Sequence, residues 1–291
     1  MAELLSPKQV AKAFDVSESS VKRWCDKGVI PTHYTNGGHR RIDRSDVVAL
    51  VRAGKQSLVH PEALGLPAVT VGSALSVTGA AQQLLDALLA GDELRCRQTT
   101  IELYFAEHSL SAICDQALAT AFHGLGEQWS CGEAEVYQER RGCEIALRIL
   151  RELRSLMPRP AEDAPIAIGG TISGDHYSLA TSMAELVLTD CGWNAISLGS
   201  NLPFDTLGAA IRDQRPHLFW LSCSFVSDPQ QFVHDYRRLH DEFSGQTAFC
   251  LGGAALTEPI RERIQYSSFC DRMRHLESFA TTLGNAIKPS S

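Results

Sequence analysis

Residues 175–180 read Asp-His-Tyr-Ser-Leu-Ala, and two shorter stretches follow at wide spacing. Ser-Cys-Ser comes 41 residues later at 222–224, and Gly-Gly comes a further 27 residues later at 252–253. Short apolar runs that predict strands precede all three stretches, and helix-length segments separate the runs. This alternation predicts an α/β domain over 161–291, with a parallel, doubly wound sheet of the flavodoxin-like (Rossmann-like) type. Ligands of such sheets bind beyond the carboxyl ends of the strands, where the three stretches fall.

The three stretches resemble the signature of the cobalamin-binding Rossmann-like module, which is Asp-x-His-x-x-Gly, Ser-x-Leu and Gly-Gly at nearly this spacing. The matching positions are Asp175, Ser222, Gly252 and Gly253. Three positions differ, since Tyr177 stands at the cobalt-ligating histidine, Ala180 at a glycine and Ser224 at the leucine. The resemblance implies cobalamin as the cofactor. The change at position 177 implies that the cofactor is held weakly, held with its own base, replaced by another ligand, or lost.

In that module, the histidine replaces the cofactor's own benzimidazole below cobalt, and the aspartate accepts the histidine's other N–H. The serine bonds the displaced base, and the glycine pair leaves room for the nucleotide tail. Here a helix is predicted over 177–189, and His176 becomes the candidate metal ligand if it lies in the preceding loop. Alternatively, Tyr177 ligates the metal through its phenol, as in some haem proteins, or fills part of the cavity beside a corrin that keeps its own base or water.

The N-terminal segment has the pattern of short helices and a hairpin. Ser6-Pro7 begins one helix-like run, and Ser17 caps a second run over 18–26. Two short helices joined by a turn of three or four residues have helix-turn-helix geometry. Asn36-Gly37 then predicts a hairpin turn, and a third helix follows over 43–51.

The second helix and the Gly38-His39-Arg40-Arg41 stretch resemble the winged-helix DNA-binding domain of the MerR family, here over residues 1–58. Residues 1–58 hold ten Lys/Arg and six Asp/Glu, a net charge of +4, whereas the remainder carries −11. Such a basic segment favours contact with phosphate. The residues predicted to bind DNA are Ser19, Ser20, Lys22, Arg23, Thr35, His39, Arg40 and Arg41. Because one such domain reads few base pairs, a homo-oligomer, dimer or tetramer, is expected on double-stranded promoter DNA.

Residues 59–79 are rich in Pro, Gly and Ser, which predicts a linker. Four amphipathic segments follow in 80–160, with apolar residues at intervals of three and four. Their predicted bounds are 80–90, 92–107, 109–129 and 133–157. Short connections between such segments favour an up-down four-helix bundle.

Within the bundle, Trp129 is followed after nine residues by Glu139-Arg140. Trp, nine residues and Glu-His resemble the cap bundle of the adenosylcobalamin-dependent light-sensing repressors of carotenoid synthesis. That resemblance implies that Trp129 and Glu139 surround the adenosyl group. Arg140 stands at the histidine that captures cobalt after photolysis, and arginine offers no lone pair to a metal. Alternatively, Trp129 is a core residue of the bundle, and Glu139 forms an ion pair with Arg140 or Arg141.

The composition sets outer bounds. The 291 residues, 44% of them hydrophobic and 21% charged, suit two or three globular domains. No apolar stretch is long enough for a membrane span, and the N-terminal residues lack a secretory pattern. Nine scattered cysteines without a C-x-x-C pair favour reduced thiols in a cytoplasmic protein and offer no zinc site.

The order of the three regions is that of the light-sensing repressors, so the chain is interpreted as a DNA-binding transcriptional regulator, a repressor, and not as an enzyme. The first alternative is a genuine adenosylcobalamin photoreceptor with an altered lower ligand. The second is a corrinoid methyl-carrier protein, which shares the bundle and the sheet but leaves the basic N-terminal segment unexplained.

Overall fold

The computed structural model describes residues 4–69 and 75–287. The chain divides into two compact units. The first comprises the described residues up to Ser109 together with Gln116–Arg159, and the second comprises Leu110–Asp115 and the described residues from Pro160 onward. In these ranges, no helix is both long enough and apolar enough to cross a membrane.

The start of the first unit consists of three short helices and a small antiparallel sheet of order β1-β3-β2. The elements are β1 (Leu4–Leu5), α1 (Pro7–Phe14), α2 (Glu18–Asp26), β2 (His33–Tyr34), β3 (Arg40–Asp43) and α3 (Arg44–Arg52). Ser6 and Gln9 form a capping box at α1, and the Ser17 side chain accepts a hydrogen bond from the Ser20 amide at α2. These caps explain why both helices begin where the sequence predicts.

The predicted linker over 59–79 is wrong for its first half. Pro61–Leu64 forms a 3₁₀ turn in which Pro61 and Leu64 are buried, and the amides of Val59 and His60 both donate to the Ala13 carbonyl of α1. Apolar burial therefore holds this Pro-rich segment against the first helices. Residues 70–74 lie outside the described residues. The next helix, α4, begins at Val77 rather than at position 80, because the Ser76 side chain caps it.

The rest of the first unit is helical. Its helices are α4 (Val77–Ala90), α5 (Glu93–Phe105), α7 (Ala119–Ser130) and α8 (Val136–Leu156), and they pack against one another. The predicted helix over 109–129 is not continuous, because α6 (Leu110–Ala112), which belongs to the second unit, and a π-helical stretch (Ile113–Leu118) precede α7. Helix α8 starts at Val136 rather than 133, since Glu135 forms a capping box with Gln138.

The second unit contains a five-stranded sheet of order β5-β4-β6-β7-β8, in which every neighbouring pair is parallel. This is the strand order of a flavodoxin-like doubly wound sheet. The strands are β4 (Ile166–Gly170), β5 (Asn194–Ser197), β6 (Leu218–Ser222), β7 (Ala248–Gly252) and β8 (Ser268–Phe269). The connecting helices are α9 (Leu179–Asp190), α10 (Phe204–Gln214), α11 (Pro229–Phe243), α12 (Glu258–Arg261) and α13 (Met273–Ile287). Apolar side chains of the sheet pack on both faces, against α10, α11 and α12 on one side and against α9 and α13 on the other.

Candidate functional site

Helix α2 presents most of its predicted DNA-contacting side chains to solvent. Ser19, Lys22 and Arg23 are exposed, and Ser20 is half-buried. The hydroxyls of Ser19 and Ser20 both lie within hydrogen-bond distance of Ser17 Oγ, at 2.9 and 2.8 Å. Lys22 Nζ lies 2.8 Å from a Glu18 carboxylate oxygen one turn earlier. That exposed ion pair is weak, so Lys22 remains able to reach a phosphate.

The hairpin between β2 and β3 holds the next predicted contacts. The Thr35 amide donates to the His39 carbonyl at 2.9 Å, and the Thr35 hydroxyl accepts from the His39 amide at 3.2 Å. Thr35 therefore closes the turn, and the exposed His39 is the better candidate for an outward contact. The residue with positive φ is Gly38, at +75°, where glycine is favoured because it lacks Cβ.

Arg40 and Arg41 have protein partners. Arg40 Nη2 donates to Asp26 Oδ1 at 2.6 Å, which ties the hairpin to the last residue of α2, and this hydrogen bond raises the pKa of the Arg40 guanidinium. The Arg40 side chain is 28% exposed and the Asp26 side chain 54%. Arg41 Nη1 donates to the Arg40 carbonyl at 3.0 Å. Arg40 consequently positions the hairpin relative to α2 in the DNA-free chain.

Two residues beside these were not singled out from the sequence. Asp26 is the acceptor for Arg40, and Tyr34 is a 60%-exposed aromatic residue whose ring centre lies 5.8 Å from the Arg40 guanidinium carbon. Strand β2 has only two residues, both exposed, so no alternation marks Tyr34 in the sequence. No local signal could indicate Asp26, because it lies 14 positions from its partner.

In the helical part of the first unit, Trp129 is 54% exposed near the end of α7, so the alternative that it is a core residue is wrong. The chain turns back directly after it, where Gly132 has a φ of +76° and the Glu133 amide donates to the Gln128 carbonyl at 2.8 Å. An indole left in solvent beside a tight turn is available to a flat ligand.

Glu139 lies in the first turn of α8, with its side chain 30% exposed. One carboxylate oxygen lies 3.6 Å from Arg140 Nε, and the other accepts from the Cys143 thiol at 3.3 Å. The predicted ion pair with Arg140 is therefore present. Arg141 instead donates to the Leu89 carbonyl at 2.7 Å, where it caps the end of α4.

At the carboxyl end of the sheet, Asp175 is 1% exposed and both of its carboxylate oxygens are used. Oδ1 accepts from the Tyr177 amide at 3.0 Å, and Oδ2 accepts from the Ser224 amide at 2.6 Å and the Phe225 amide at 3.3 Å. Asp175 thus joins the loop after β4 to the loop after β6. The Asp175 carboxylate therefore accepts from backbone amides, whereas the resemblance implies that it accepts from the N–H of an imidazole.

The helix after β4 begins at Leu179, two residues later than predicted. The reason is the hydrogen bond from the Tyr177 amide to the Asp175 side chain, a local pattern that competes with helix formation. His176 and Tyr177 therefore both lie in the loop, His176 exposed and Tyr177 half-buried. Because His176 lies in the loop before the helix, it remains a candidate metal ligand.

The remaining predicted residues are fixed by neighbouring backbone. Ser222 is buried at the end of β6 opposite Gly252, and Ser224 is exposed. A Cβ on Gly252 would lie 2.7 Å from the Cys270 carbonyl oxygen, and one on Gly253 would lie 2.2 Å from the Cys223 carbonyl oxygen. Gly253 also has a φ of +109°. The glycine pair is therefore required by the protein's own packing, and its role beside a nucleotide tail stays a prediction.

The sequence missed two further residues of the sheet and its loops. The backbone amide of Asn201 donates to the Asp175 carbonyl, and its side-chain Oδ1 accepts from the Gly174 backbone amide, both within 3.0 Å. Trp220 lies at the centre of β6, and its indole donates to the buried Thr181 hydroxyl at 2.9 Å. A Cβ on Gly169 of β4 would lie 2.2 Å from this indole, so the Trp220 ring fills the space above β4.

A cavity of about 300 Å³ lies beside the carboxyl ends of β4 and β6, where the strand order reverses. Its lining includes Ser173, Phe204, Asp228, Phe232 and Arg238. Open α/β sheets bind ligands at such switch points. The lining contains none of the sheet-edge residues that the sequence predicts, so this cavity is a separate feature of the same edge.

Comparisons with known proteins give two family matches. Residues 4–55 match the helix-turn-helix domain family, and residues 80–154 match the B12 binding domain family. No curated protein matches the chain. The combination fits a DNA-binding protein that also carries a corrinoid-binding region, and it supports cobalamin as the candidate cofactor.

Solved structures of corrinoid proteins are similar at low identity. The monomethylamine corrinoid protein of Methanosarcina barkeri is 16% identical, covers 72% of this chain and 100% of its own, and gives a TM-score of 0.58. A cobalamin-binding protein from Desulfitobacterium hafniense DCB-2 is 14% identical over 72% of this chain and 98% of its own, with a TM-score of 0.40. At 16% identity the likeness to the monomethylamine corrinoid protein shows the fold alone.

The residues fit a corrinoid only in part. The exposed indole of Trp129 suits contact with a flat ligand. Position 177, however, offers a phenol in place of an imidazole, and the Asp175 carboxylate is already bound by three amides. Across residues 4–69 and 75–287, no group of three or more His, Cys, Asp or Glu side chains could hold a metal ion. At positions 175 and 177 the residues therefore differ from the histidine–aspartate pair of the resembled module.

Proposed function

We propose that this protein is a cytoplasmic DNA-binding transcriptional regulator, a repressor without catalytic activity, whose sensor region is of the cobalamin-binding type. The observation that carries the proposal is the exposed face of α2 with Ser19, Lys22 and Arg23, within a helix-turn-helix match, in the same chain as a B12-binding-domain match. A corrinoid carrier that only meets a catalytic partner has no use for such a helix.

The N-terminal region acts as a winged helix of the MerR type. Helix α2 enters the major groove, where Ser19, Lys22 and Arg23 meet base edges and phosphates. The hairpin between β2 and β3 is the wing, and His39 and Arg41 lie on it. Phosphate contacts supply most of the affinity, which makes binding strongly dependent on salt.

Regulation requires that the DNA-binding state be coupled to a ligand. One helix-turn-helix reads only a few base pairs, so the protein binds a repeated half-site as a homodimer or tetramer. A ligand shifts the equilibrium between oligomeric states only when it binds one of them better. The helical region with Trp129 and Glu139, and separately the loops at the carboxyl end of the sheet, are the surfaces that contact this ligand.

The ligand is a corrinoid that the protein holds without an imidazole from position 177. Cobalamin, when bound, supplies a cobalt centre whose axial ligands exchange. Each unit offers a candidate surface of its own, which is the exposed Trp129 indole in the first unit and the loops that Asp175 holds fixed in the second. Because position 177 offers no imidazole, a bound cobalamin would receive no ligand from that position, and its affinity would be low.

DNA binding is tested with duplexes selected from a random pool on the wild-type chain. The Lys22→Ala/Arg23→Ala variant should bind about ten-fold or more weakly, with a salt slope reduced by about 1 for each lost phosphate contact. Lys55→Ala, an exposed lysine beyond α3, is the charge control and should change little. No selected duplex, or equal losses in both variants, would overturn the DNA-binding role.

A second candidate is a corrinoid methyl carrier, favoured by the likeness in fold to the monomethylamine corrinoid protein. Methyl transfer by the purified chain in the absence of DNA binding would support the carrier and refute the regulator.

The photoreceptor alternative is tested with light. After incubation with adenosylcobalamin in the dark, green light should leave DNA affinity and oligomeric state as they were in the dark, whereas a light-dependent change would establish a photoreceptor.

A further inference from the structure

Two cysteines meet at the edge of the sheet. Cys250 is buried in β7, and Cys270 follows the edge strand β8 and is half-buried. Their sulfur atoms are 3.3 Å apart. The backbone fixes this approach, because Cys250 is in register with Ser268 of β8 and the Cys270 amide donates to the Leu251 carbonyl at 2.7 Å.

The surroundings distinguish the two thiols. The Cys250 thiol, and then the Ser268 hydroxyl 3.6 Å away, donate hydrogen bonds that lower the pKa of Cys270. The same contact, with burial, raises the pKa of Cys250. Burial raises the pKa of Cys96 to about 12 and that of Cys191 to about 11. Because the thiolate is the nucleophile, Cys270 is the more reactive sulfur.

We propose that Cys250 and Cys270 form a redox-responsive dithiol that a hydroperoxide closes into an intramolecular disulfide. The proposal rests on the 3.3 Å approach of the sulfurs and on the half-exposed position of Cys270. A disulfide bond is about 2 Å long, so closure needs a movement of only about 1 Å. The inference is independent of the proposed regulatory function.

The chemistry balances in two steps. The Cys270 thiolate attacks one oxygen of hydrogen peroxide, the O–O bond breaks, and the hydroxide that leaves takes the thiol proton to become water, which gives a sulfenic acid. The Cys250 sulfur then attacks the sulfenic sulfur and forms the S–S bond. The departing hydroxide takes the Cys250 proton as a second water. Two thiols lose two electrons, and one peroxide gains them.

The disulfide would fasten the edge strand to the glycine pair. The Cys270 carbonyl oxygen lies only 2.7 Å from where a Cβ on Gly252 would stand. A bond between Cys250 and Cys270 holds that carbonyl against the end of β7, so oxidation stiffens the loop that follows β7. A short edge strand of two residues otherwise has few hydrogen bonds to hold it.

Peptide mapping of the full chain tests the proposal. Arg261 and Arg263 separate the two cysteines, so trypsin places Cys250 in 239–261 and Cys270 in 264–272, each as the single cysteine of its peptide. The native protein is treated with hydrogen peroxide, quenched in acid, alkylated and digested. The expected product is the joined pair of these peptides, which dithiothreitol separates.

Variants and alternative products make the result decisive. Cys270→Ser should abolish the joined pair, and Cys191→Ser, which changes another half-buried cysteine, should retain it. Alkylated thiols or sulfinic acid at Cys270 without the joined pair in the wild-type protein would overturn the proposal. Joining of Cys250 or Cys270 to another cysteine in its place would do the same. Because the wild-type chain is mapped directly, the outcome does not depend on the folding of a variant.

Discussion

The ion pair between Arg40 and Asp26 makes a testable claim about the DNA-free state. Arg40 Nη2 lies 2.6 Å from Asp26 Oδ1, so the guanidinium must leave this carboxylate before it can reach a phosphate. Asp26→Asn removes the opposing charge and keeps the size of the side chain. We therefore expect Asp26→Asn to raise DNA affinity, although the Asp26 carboxylate forms an ion pair with Arg40 in the DNA-free chain.

The magnitude follows from the exposure of the pair. Arg40 is 28% and Asp26 54% exposed, and ion pairs this open to water are weak and screened by salt. Release of Arg40 should raise affinity at most about five-fold at 0.1 M salt. One additional phosphate contact should steepen the plot of log affinity against log salt concentration by about 0.9.

Fluorescence anisotropy with a selected duplex, over a range of salt concentrations, measures both quantities. Asp15→Asn is the matched control, because it also removes one exposed carboxylate and its φ of +53° suits asparagine. Repeating Asp26→Asn in an Arg40→Gln background completes a double-mutant cycle. If Asp26→Asn has the same effect with and without Arg40, or no more effect than Asp15→Asn, the reasoning is refuted.

The remaining predictions concern the cofactor and stability. Tyr177→His should raise cobalamin affinity in an absorbance titration, whereas an unchanged affinity would indicate that the cavity itself has closed. Arg97→Ala should lower the free energy of unfolding by about 2 kcal/mol in urea, because the two 2.6 Å hydrogen bonds to the Glu152 carboxylate are lost. Arg97→Lys should restore only part of this stability. Thr181→Val, of nearly equal volume, should cost about 1–3 kcal/mol in the same assay, since it leaves the buried Trp220 indole N–H without its acceptor; a neutral result would contradict this account.

Elements with strong local signals were predicted well. Helix α2 (Glu18–Asp26) has the bounds that the sequence predicts, since the Ser17 side chain caps its first turn. The family matches agree with a helix-turn-helix N-terminal region and with a B12-binding region in the helical middle. Caps, periodicity and motif spacing are local properties, and local properties are readable from one sequence.

The errors arose where a distant partner decides the structure. The segment after α3 has the composition of a linker, yet Pro61 and Leu64 are buried against α1. Whether Arg40 points outward depends on Asp26, and the role of Asp175 depends on amides about 50 positions away. Neither the composition nor the spacing of a sequence specifies such side-chain partners.

The carboxyl end of the sheet shows why a spacing that matches the cobalamin-binding motif is weak evidence for cobalt chemistry in this chain. Asp175 is needed to join two loops, and Gly252 and Gly253 are needed because carbonyl oxygens stand where their Cβ atoms would be. A protein with no cobalt would keep all three residues for these reasons alone. Position 177 is different, because the resemblance places the cobalt-ligating imidazole there and the chain has a tyrosine at that position. The cofactor question therefore turns on Tyr177, and the affinity of Tyr177→His for cobalamin answers it more directly than the presence of the surrounding motif.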